Sequence, residues 1–361
     1  MLFHTFPLKQ HGVSGVNLYI CTQMKQVRPK KNLGQHFLTD LNIASAIADT
    51  VDACPDLPVL EVGPGMGVLT QFLMQKPRPL SVVEIDRESV AYLTERYPFF
   101  SRKEEGGRRK DFSRKEEGGG RKEITSEIQN SEDSVQDTCA QCISPSSLLL
   151  PPSSKESPSS KESPSSKESP SSKESPRLLL EGDFLRMDLH QLFDGRPFVL
   201  TGNYPYDISS QIFFKVIDNK DLIPCCTGMI QREVAQRMEA KPGTKAYGIL
   251  SVLIQAWYDV EYLFTVDENV FDPPPKVKSA VIRMTRNKVQ DLGCDEKLFR
   301  RVVKTVFNQR RKMLRVSLRQ LFTKDTMPDS SFFSQDIMTM RPEQLTIPQF
   351  VELTNQIDIL E

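Results

Sequence analysis

A glycine-rich segment between an apolar run and a helical pattern constrains the fold of this chain more than any other feature. Residues 58–62 are apolar except for Glu61, and residues 63–67 carry glycine in the pattern G-x-G-x-G. Glycines let the backbone approach a ligand closely, and a helix that follows them offers unpaired N–H groups at its N-terminus. The segment therefore predicts a strand, a ligand-binding loop and a helix of an α/β fold.

The next acidic residues indicate which ligand the loop binds. A second run, residues 80–83, leads into Glu84, about 20 residues after the loop, where a carboxylate can accept both hydroxyls of a ribose. A dinucleotide site would have the spacing G-x-G-x-x-G, which Val68 and Thr70 break. We therefore predict S-adenosylmethionine as the cofactor. The predicted contacts in this part of the chain are Gly63, Gly65 and Glu84.

A third apolar run ends in Gly182-Asp183-Phe184. Asp183 is placed to accept a hydrogen bond from the adenine amine of the cofactor, and Phe184 to lie against the adenine ring. Aspartate is also a common N-cap of helices. That alternative stays open for Asp183, and we expect it for Asp86.

The run of residues 198–200 leads into Asn203-Tyr204-Pro205-Tyr206. An amide side chain and a carbonyl beside a rigid proline can accept both hydrogens of an exocyclic amine, and a tyrosine can stack on the ring that bears the amine. Methylation of adenine N6 requires this arrangement, because the amine lone pair is delocalised into the ring until its hydrogens are held. The alternative is a strand followed by a proline turn with a core tyrosine.

Phe271 precedes a triple proline at residues 273–275. A stiff loop could present this ring for stacking on a base. The alternative is a core phenylalanine next to a loop.

Strands that alternate with helices predict an α/β fold with a mostly parallel sheet, in which ligands bind beyond the carboxyl ends of the strands. We assign residues 25–287 to this domain and residues 288–361, with their helical spacing of apolar side chains, to a small C-terminal helical domain. Residues 1–24 are predicted to be an N-terminal extension. Residues 101–177 contain Ser-Ser-Lys-Glu-Ser-Pro repeats too polar for a core and are predicted to be a disordered insertion in a surface loop.

Composition narrows the classes of protein. Seven cysteines without a spaced framework fit a reducing compartment, and the Cys139–Cys142 pair lacks the further ligands of a zinc site. No run approaches the ~20 apolar residues of a membrane span, and no secretory signal is recognised. We expect a cytoplasmic monomer with no metal and no membrane contact.

Basic residues are unevenly distributed although 47 Lys and Arg balance 47 Asp and Glu. One group precedes the turn at Gly34, and another follows an amphipathic helical pattern near residue 307. Such clusters are typical of phosphate contacts with nucleic acid, and a solvated charged surface is the alternative. The residues predicted to bind RNA are Arg28, Lys30, Lys31, Arg310, Arg311 and Lys312.

Taken together and in order, these segments resemble one family, the small-subunit ribosomal RNA adenine dimethyltransferases of the KsgA type. The segments that carry the resemblance are residues 31–38, 61–65, 83–86, 181–183, 202–206, 245–248, 271–280 and 307–312. The resemblance implies a Rossmann-like class I methyltransferase domain with a small C-terminal helical domain. It covers residues 25–100 and 178–350 and leaves out the extension and the insertion.

The resemblance also implies the reaction. Methyl groups pass from S-adenosylmethionine to N6 of two adjacent adenosines, two to each, near the 3′ end of 16S rRNA in the immature small ribosomal subunit. Positions that match cofactor contacts of the family are His36, Leu38, Gly63, Glu84, Asp183 and Asn203. Positions that match its target-adenine contacts are Asn203, Pro205, Tyr206 and Phe271.

Two residues depart from the family pattern. Tyr204 stands where Leu or Ile is usual, and His36 stands where Asn is common. Both positions act mainly through backbone or shape, so we expect activity to be retained.

Three other functions are weighed against this one. A large-subunit rRNA dimethyltransferase of the antibiotic-resistance type is disfavoured by residues 245–248 and 307–312. An RNA-binding assembly factor without catalysis is disfavoured by the intact Glu84, Asp183 and Asn203. An NAD-dependent oxidoreductase is disfavoured by the glycine spacing.

Overall fold

The computed structural model of the protein describes residues 27–30, 33–100 and 177–360. Lys31, the Cys139–Cys142 pair and the predicted extension lie outside the described residues. Of the predicted insertion only Arg177 is described, and it is the first residue of a strand.

The strands of the described residues form one large sheet and one small ribbon. They are β1 (Phe37–Leu38), β2 (Val59–Val62), β3 (Leu80–Glu84), β4 (Arg177–Glu181), β5 (Val199–Thr201), β6 (Cys225–Gln231), β7 (Tyr258–Val266), β8 (Phe271–Asp272) and β9 (Ser279–Arg286). The large sheet has seven strands in the order β4-β3-β2-β5-β6-β9-β7. The first five strands in that order, from β4 to β6, are parallel to one another. β9 and β7 complete the sheet, and each is antiparallel to the strand before it in the order. β1 and β8 form the separate antiparallel ribbon.

The helices either pack against the sheet or make up the C-terminal part of the described chain. The α-helices are α1 (Leu41–Asp49), α2 (Thr70–Leu73), α3 (Arg87–Arg96), α4 (Ser209–Asp218), α5 (Arg232–Glu239), α6 (Ile249–Gln255), α7 (Glu296–Asn308), α8 (Leu314–Ser317), α9 (Ser330–Phe333) and α10 (Ile347–Asp358). The Asp86 carboxylate accepts a hydrogen bond from the Glu88 N–H at the start of α3, which confirms its predicted role as an N-cap.

The order of the strands fixes where a ligand can bind. The chain runs outward from β2 through β3 to β4, and then returns to the other side of β2 with β5 and β6. This reversal leaves a crevice beyond the carboxyl ends of β2 and β5. β2, β3 and β5 are buried along their whole length, as parallel strands covered on both faces must be. The predicted α/β fold with a mostly parallel sheet is confirmed.

The insertion leaves and rejoins the fold at neighbouring points. A single 3₁₀ turn, Pro98–Phe100, precedes it and contacts β4, which follows it. β4 lies at the edge of the sheet. The described residues that flank the predicted insertion are therefore held close together.

The C-terminal segment is helical, with no strand between residue 287 and residue 360. One face of α7 is buried, and it packs against α6 and α10. Its apolar side chains belong to the same core as those of the sheet, so these helices are not a detached unit. The buried residues of α7 are Leu298, Phe299, Val302, Val303, Val306 and Phe307.

A disulfide corrects the expectation of fully reduced cysteines. Cys54, in the turn after α1, is joined to Cys225 at the start of β6. The two residues are 171 positions apart in the chain, and both are buried. The folded parallel sheet brings them together, so their spacing in the sequence did not predict that they pair.

The described ranges contain neither a membrane-spanning helix nor a metal-binding cluster. No helix there is long and apolar enough to cross a membrane. No group of three or more His, Cys, Asp or Glu side chains there is arranged to hold a metal ion.

A close approach of two glycines brings β5 and β6 together beside the crevice. A Cβ atom at Gly228 would lie 2.3 Å from the carbonyl oxygen of Gly202 and 2.7 Å from the ring of Tyr204. Gly228 also has a φ of 143°, which L side chains rarely adopt. The sequence therefore requires glycine here, because the atoms a side chain would meet include fixed backbone.

We expect Gly228→Ala to lower the free energy of unfolding by about 3–5 kcal/mol, from overpacking and backbone strain together. Denaturant unfolding of the two proteins measures the difference. Gly293→Ala is the matched control, since Gly293 has a φ of 75° with no atom near its missing Cβ. That variant should lose only about 1 kcal/mol, the cost of the positive φ. Equal losses in both variants would contradict the role given to the close approach.

Candidate active site

A cavity of about 220 Å³ opens at the carboxyl ends of β2, β3, β4 and β5. It is the crevice that the strand order creates, and residues 33–38 before and within β1 form part of its wall. The structure brings every predicted cofactor residue to this cavity, and every predicted target-base residue except Phe271. They are His36, Leu38, Gly63, Gly65, Glu84, Asp183, Phe184, Asn203, Pro205 and Tyr206.

The glycine loop lies directly against the acidic end of β3. Gly63 and Gly65 have φ values of 68° and 55°, so both use the left-handed conformation that glycine permits. The Gly65 N–H donates to Oε2 of Glu84 at 3.0 Å. Oε1 of Glu84 accepts from the N–H groups of Ile85 and Asp86, both at 2.9 Å. These bonds fix the carboxylate in position.

Glu84 is held as a buried carboxylate with capacity for more hydrogen bonds. Burial raises its pKa above the ordinary value, and the backbone N–H bonds to Asp86 and Gly65 oppose that rise. Each carboxylate oxygen has two lone pairs. Oε1 already accepts from two backbone N–H groups, whereas Oε2 accepts from one and can still accept a ligand hydroxyl. The geometry is compatible with the predicted contact to a ribose.

Glu61 is a functional candidate that our sequence reasoning did not assign. Its side chain lines the cavity, is 1% exposed, and leaves Oε2 without a hydrogen-bond partner. Burial raises the pKa of Glu61 to about 8; the Thr70 hydroxyl lowers it somewhat and Glu84 adds to the rise. Its place two residues before the first glycine was the available signal. A buried carboxyl without a partner fits a cationic ligand.

Asp183 and Phe184 combine the two roles considered for them. Oδ1 of Asp183 accepts from the Leu185 N–H at 2.9 Å, so the residue does cap the short 3₁₀ helix Phe184–Arg186. It also lines the cavity, and its side chain is one-third exposed. Phe184 is buried and lines the same wall. Capping uses Oδ1, whereas Oδ2 lies 3.5 Å from Nε of Arg186 and keeps capacity for a donor from a ligand.

The amide of Asn203 has a defined orientation. Nδ2 donates to the backbone carbonyl of His36 at 3.2 Å. A carbonyl can only accept, so the amide nitrogen must face His36, and Oδ1 is the end left to accept a hydrogen bond. The backbone around Asn203 is bonded to β6, with Met229 N–H to Gly202 O at 2.9 Å and Tyr204 N–H to Met229 O at 3.0 Å.

The carbonyls beside Pro205 are not equivalent. The Pro205 carbonyl accepts from the Ile208 N–H at 3.3 Å. For the carbonyl of Tyr204, which precedes the proline, no donor is found among the residues that the structure describes. Of the two oxygens left open by the sequence, the one before the proline is therefore the better acceptor.

Tyr206 is fixed at both its ring and its hydroxyl. The hydroxyl is hydrogen-bonded to Oγ of Ser279, at the start of β9, and the ring stacks on the imidazole of His36. Ser279 was missed by sequence reasoning, because 73 residues separate it from Tyr206 and serine carries no specific pattern.

The prediction for Phe271 is corrected by the structure. Its ring is 4% exposed, belongs to the apolar core and is not among the residues that line the cavity. Phe271 pairs with Leu38 in the β1–β8 ribbon, and that pairing turns the side chain inward. In this structure Phe271 is therefore a core phenylalanine, which is the alternative interpretation of the sequence.

The predicted RNA-binding residues have different surroundings. Nζ of Lys30 lies 2.5 Å from Oδ1 of Asp86 and 3.5 Å from Oε1 of Glu88, so its charge is paired with the start of α3, and the side chain remains one-third exposed. Arg310 donates to the carbonyl of Thr244 at 3.1 Å and lies 3.4 Å from Glu343. Arg28, Arg311 and Lys312 are exposed.

The seven-stranded sheet, the glycine loop and the acidic residue at the end of β3 fit a class I methyltransferase that uses S-adenosylmethionine, because the G-x-G-x-G spacing is not that of a dinucleotide site. The chain belongs to the ribosomal RNA adenine dimethylase family, whose model matches residues 26–103 and 163–358. The unmatched residues between these ranges fall within the predicted insertion.

Curated relatives agree with this family. A ribosomal RNA small subunit methyltransferase A of Bacteroides thetaiotaomicron is 52% identical over 336 residues, which cover 93% of this chain and 96% of the relative. A protein of the same name from Porphyromonas gingivalis is 44% identical, with 92% and 98% covered.

A solved structure agrees with the fold. The crystal structure of a dimethyladenosine transferase from Plasmodium falciparum matches with a TM-score of 0.57 and 18% identity. The match covers 90% of this chain and 98% of that one. The predicted class I methyltransferase fold is confirmed.

The residues of the cavity fit the cofactor of this class. S-adenosylmethionine carries a net positive charge, and the unpartnered carboxyl of Glu61 lies in the wall of a cavity that also holds Glu84. A cation stabilises the ionised form of a nearby carboxyl and lowers its pKa. Binding of the cofactor should therefore release the proton that Glu61 holds below about pH 8.

We expect the affinity for S-adenosylmethionine to rise with pH up to about 8, by at most about tenfold per pH unit, and to level off above it. The proton release itself is measured by calorimetry near pH 7 in buffers of different ionisation enthalpy. Glu61→Gln is the control: it should bind more weakly and lose the part of the release due to Glu61. Equal release from both proteins would contradict this role.

Proposed function

We propose that this protein dimethylates N6 of two adjacent adenosines near the 3′ end of 16S rRNA in the small ribosomal subunit, with S-adenosylmethionine as methyl donor. One observation carries the chemical part of the proposal. Asn203 lines the cavity that holds the cofactor residues, and the bond from its Nδ2 to the His36 carbonyl leaves Oδ1 as the end of the amide that can accept. The family and the names of the curated relatives support the substrate.

The amine of the target adenine is activated by two acceptors. Oδ1 of Asn203 and the carbonyl of Tyr204 each accept one amine hydrogen, which draws the nitrogen lone pair out of conjugation with the ring. When bound, S-adenosylmethionine supplies a methyl group that is already activated as a sulfonium. The nitrogen therefore needs no strong base, and its surplus proton leaves to solvent after transfer. Tyr206, fixed by Ser279, provides the stacking surface for the flipped base.

The cofactor is held by the residues around the glycine loop. Glu84 accepts the ribose hydroxyls, and Gly63 and Gly65 let the backbone approach the ligand. Asp183 accepts from the adenine amine with its second oxygen, and Phe184 forms the wall against the ring. Glu61 provides the negative charge for the cationic part of the cofactor.

RNA phosphates are contacted by the exposed basic residues outside the cavity. Arg311 and Lys312 lie in the turn after α7, and Arg310 fixes that turn to the loop containing Thr244. Lys30 is assigned instead to the α3 cap. The partner is the immature small ribosomal subunit, bound by a monomer in the cytoplasm.

The decisive test is methyl transfer from labelled S-adenosylmethionine to purified small ribosomal subunits that lack the modification. The modified nucleotide is identified by mass, and dimethyladenosine in 16S rRNA is the expected product. Transfer to large-subunit rRNA instead would favour the antibiotic-resistance type of enzyme. Cofactor binding without transfer would favour an assembly factor without catalysis.

We expect Asn203→Ala to lower the rate of methyl transfer by about 10²-fold or more, because a fixed polar contact to the reacting group is lost. Affinity for S-adenosylmethionine should fall much less, which calorimetry measures. Asn42→Ala, at an exposed position of α1, is the matched control and should keep the parent rate. Unchanged turnover of Asn203→Ala would exclude the amine-holding role.

We expect removal of residues 101–176 to leave methyl transfer to small subunits within about twofold of the full chain, because long surface loops are tolerated when their ends lie close together. A short glycine–serine linker should join Phe100 to Arg177, which the contact between the preceding turn and β4 keeps close. Thermal unfolding of both proteins controls for folding. Loss of transfer in a folded variant would show that the insertion takes part in the reaction.

A further inference from the structure

The imidazole of His36 lies on the ring of Tyr206 inside the cavity. The ring centroids are 5.4 Å apart, and the planes are inclined by 30°, which is an offset stack. Both residues line the cavity, and Tyr206 is the residue assigned above to the target base. The side chain of His36 therefore covers a stacking surface that the proposed reaction uses.

Two hydrogen bonds hold His36 in this place. Nδ1 lies 2.8 Å from the carbonyl oxygen of Pro273, in the loop after β8. Because a carbonyl only accepts, Nδ1 carries the proton and donates it. The backbone carbonyl of His36 accepts from Asn203 Nδ2. The first bond fixes the ring, and the second fixes the main chain.

A third ring does not fit between the two. Stacked aromatic planes lie about 3.5 Å apart, so a base between His36 and Tyr206 would require about 7 Å between the outer rings. The observed separation of the centroids is 5.4 Å. Tyr206 cannot turn away, because its hydroxyl is bonded to Ser279. For a base to stack on this face of Tyr206, His36 must move.

We infer that the His36 side chain stands in for the target base and is displaced when that base enters, which makes His36 a specificity-determining residue of the proposed reaction. The inference rests on the proposed function. An entering ring must replace both the stack on Tyr206 and the bond to Pro273. A purine offers a larger stacking face than imidazole, whereas a smaller ring gains less, so the displacement sets a threshold that favours purines.

The two bonds of His36 respond differently to the displacement. The bond to Pro273 belongs to the side chain and is lost when the ring moves. The bond from Asn203 ends on the main chain and can persist. Asn203 therefore keeps Oδ1 directed at the amine while the stacking surface changes occupant. The same separation makes His36→Ala an informative variant, since it removes the competing ring and its bond to Pro273 and keeps the main-chain acceptor of Asn203.

Proton NMR tests the stack of His36 on Tyr206, first in the free protein and then with RNA added. The chain has four histidines, so the resonances of His36 are assigned by their absence in His36→Asn. They should be shifted upfield by the Tyr206 ring, and Tyr206→Leu should abolish that shift. Addition of an unmethylated RNA fragment that contains the two target adenosines should move them downfield as the ring leaves. Ring signals at their random-coil positions, or unmoved by bound RNA, would overturn the inference.

Steady-state kinetics test the competition. We expect His36→Ala to lower KM for small subunits by about three- to tenfold, the factor that corresponds to one aromatic pair. KM for S-adenosylmethionine is measured in parallel, so that a cofactor effect is separated from an RNA effect. His190→Ala, at an exposed position, is the matched control. If His36→Ala raises KM for small subunits, His36 contacts the base directly. If KM is unchanged, His36 takes no part in binding the base. Either result overturns the proposal.

The proposal and the function on which it rests fail in distinguishable ways. If the parent protein transfers no methyl group to small subunits, the proposed function fails whatever His36 does. If the parent is active and His36→Ala shows no lower KM, only the displacement is excluded.

Discussion

The contact between the end of β5 and β6 is the constraint on which the site depends. Gly202 and Gly228 approach so closely that no side chain fits between them, and the backbone bonds of Gly202 and Tyr204 to Met229 continue the sheet past its last regular pair. The Tyr204 hydroxyl adds a third link by donating to the Thr227 carbonyl at 2.9 Å. Asn203 is thus carried on an extension of the sheet, so its amide is positioned by the most rigid part of the molecule and not by a free loop.

The electrostatics of the cavity follow from the same architecture. Parallel strands end together, so the carboxylates that follow or end them meet in one small, poorly solvated space. Glu84 is compensated by three backbone N–H groups, whereas an oxygen of Glu61 is left without a donor. An empty cavity of this kind is less favourable than one that contains a cation. The fold therefore carries a local electrostatic cost that cofactor binding relieves.

Sequence reasoning predicted the fold and most of the cavity, because local sequence patterns determine both. The glycine loop, Glu84 and Asn203 each follow an apolar run at a spacing with a direct structural meaning. What it missed depends on distant contacts. Phe271 was predicted to present its ring to a base from a stiff loop, with a core position as the alternative, and it pairs inward with β1. Lys30 was predicted to contact RNA, and its ammonium is paired with Asp86. The Cys54–Cys225 and Tyr206–Ser279 pairs arise only when the sheet assembles.

The place where the insertion is attached has a consequence for how the molecule can be altered. Residues 101–176 rejoin the fold at the first residue of β4, and the cavity lies beyond the last one, roughly 15 Å away along the strand. β4 is also an edge strand, so material added there meets no neighbouring strand. The start of β4 is therefore a suitable attachment point for an added group or domain. A fluorophore, an affinity tag or a second domain could be attached there at a distance from the cavity and its reacting groups.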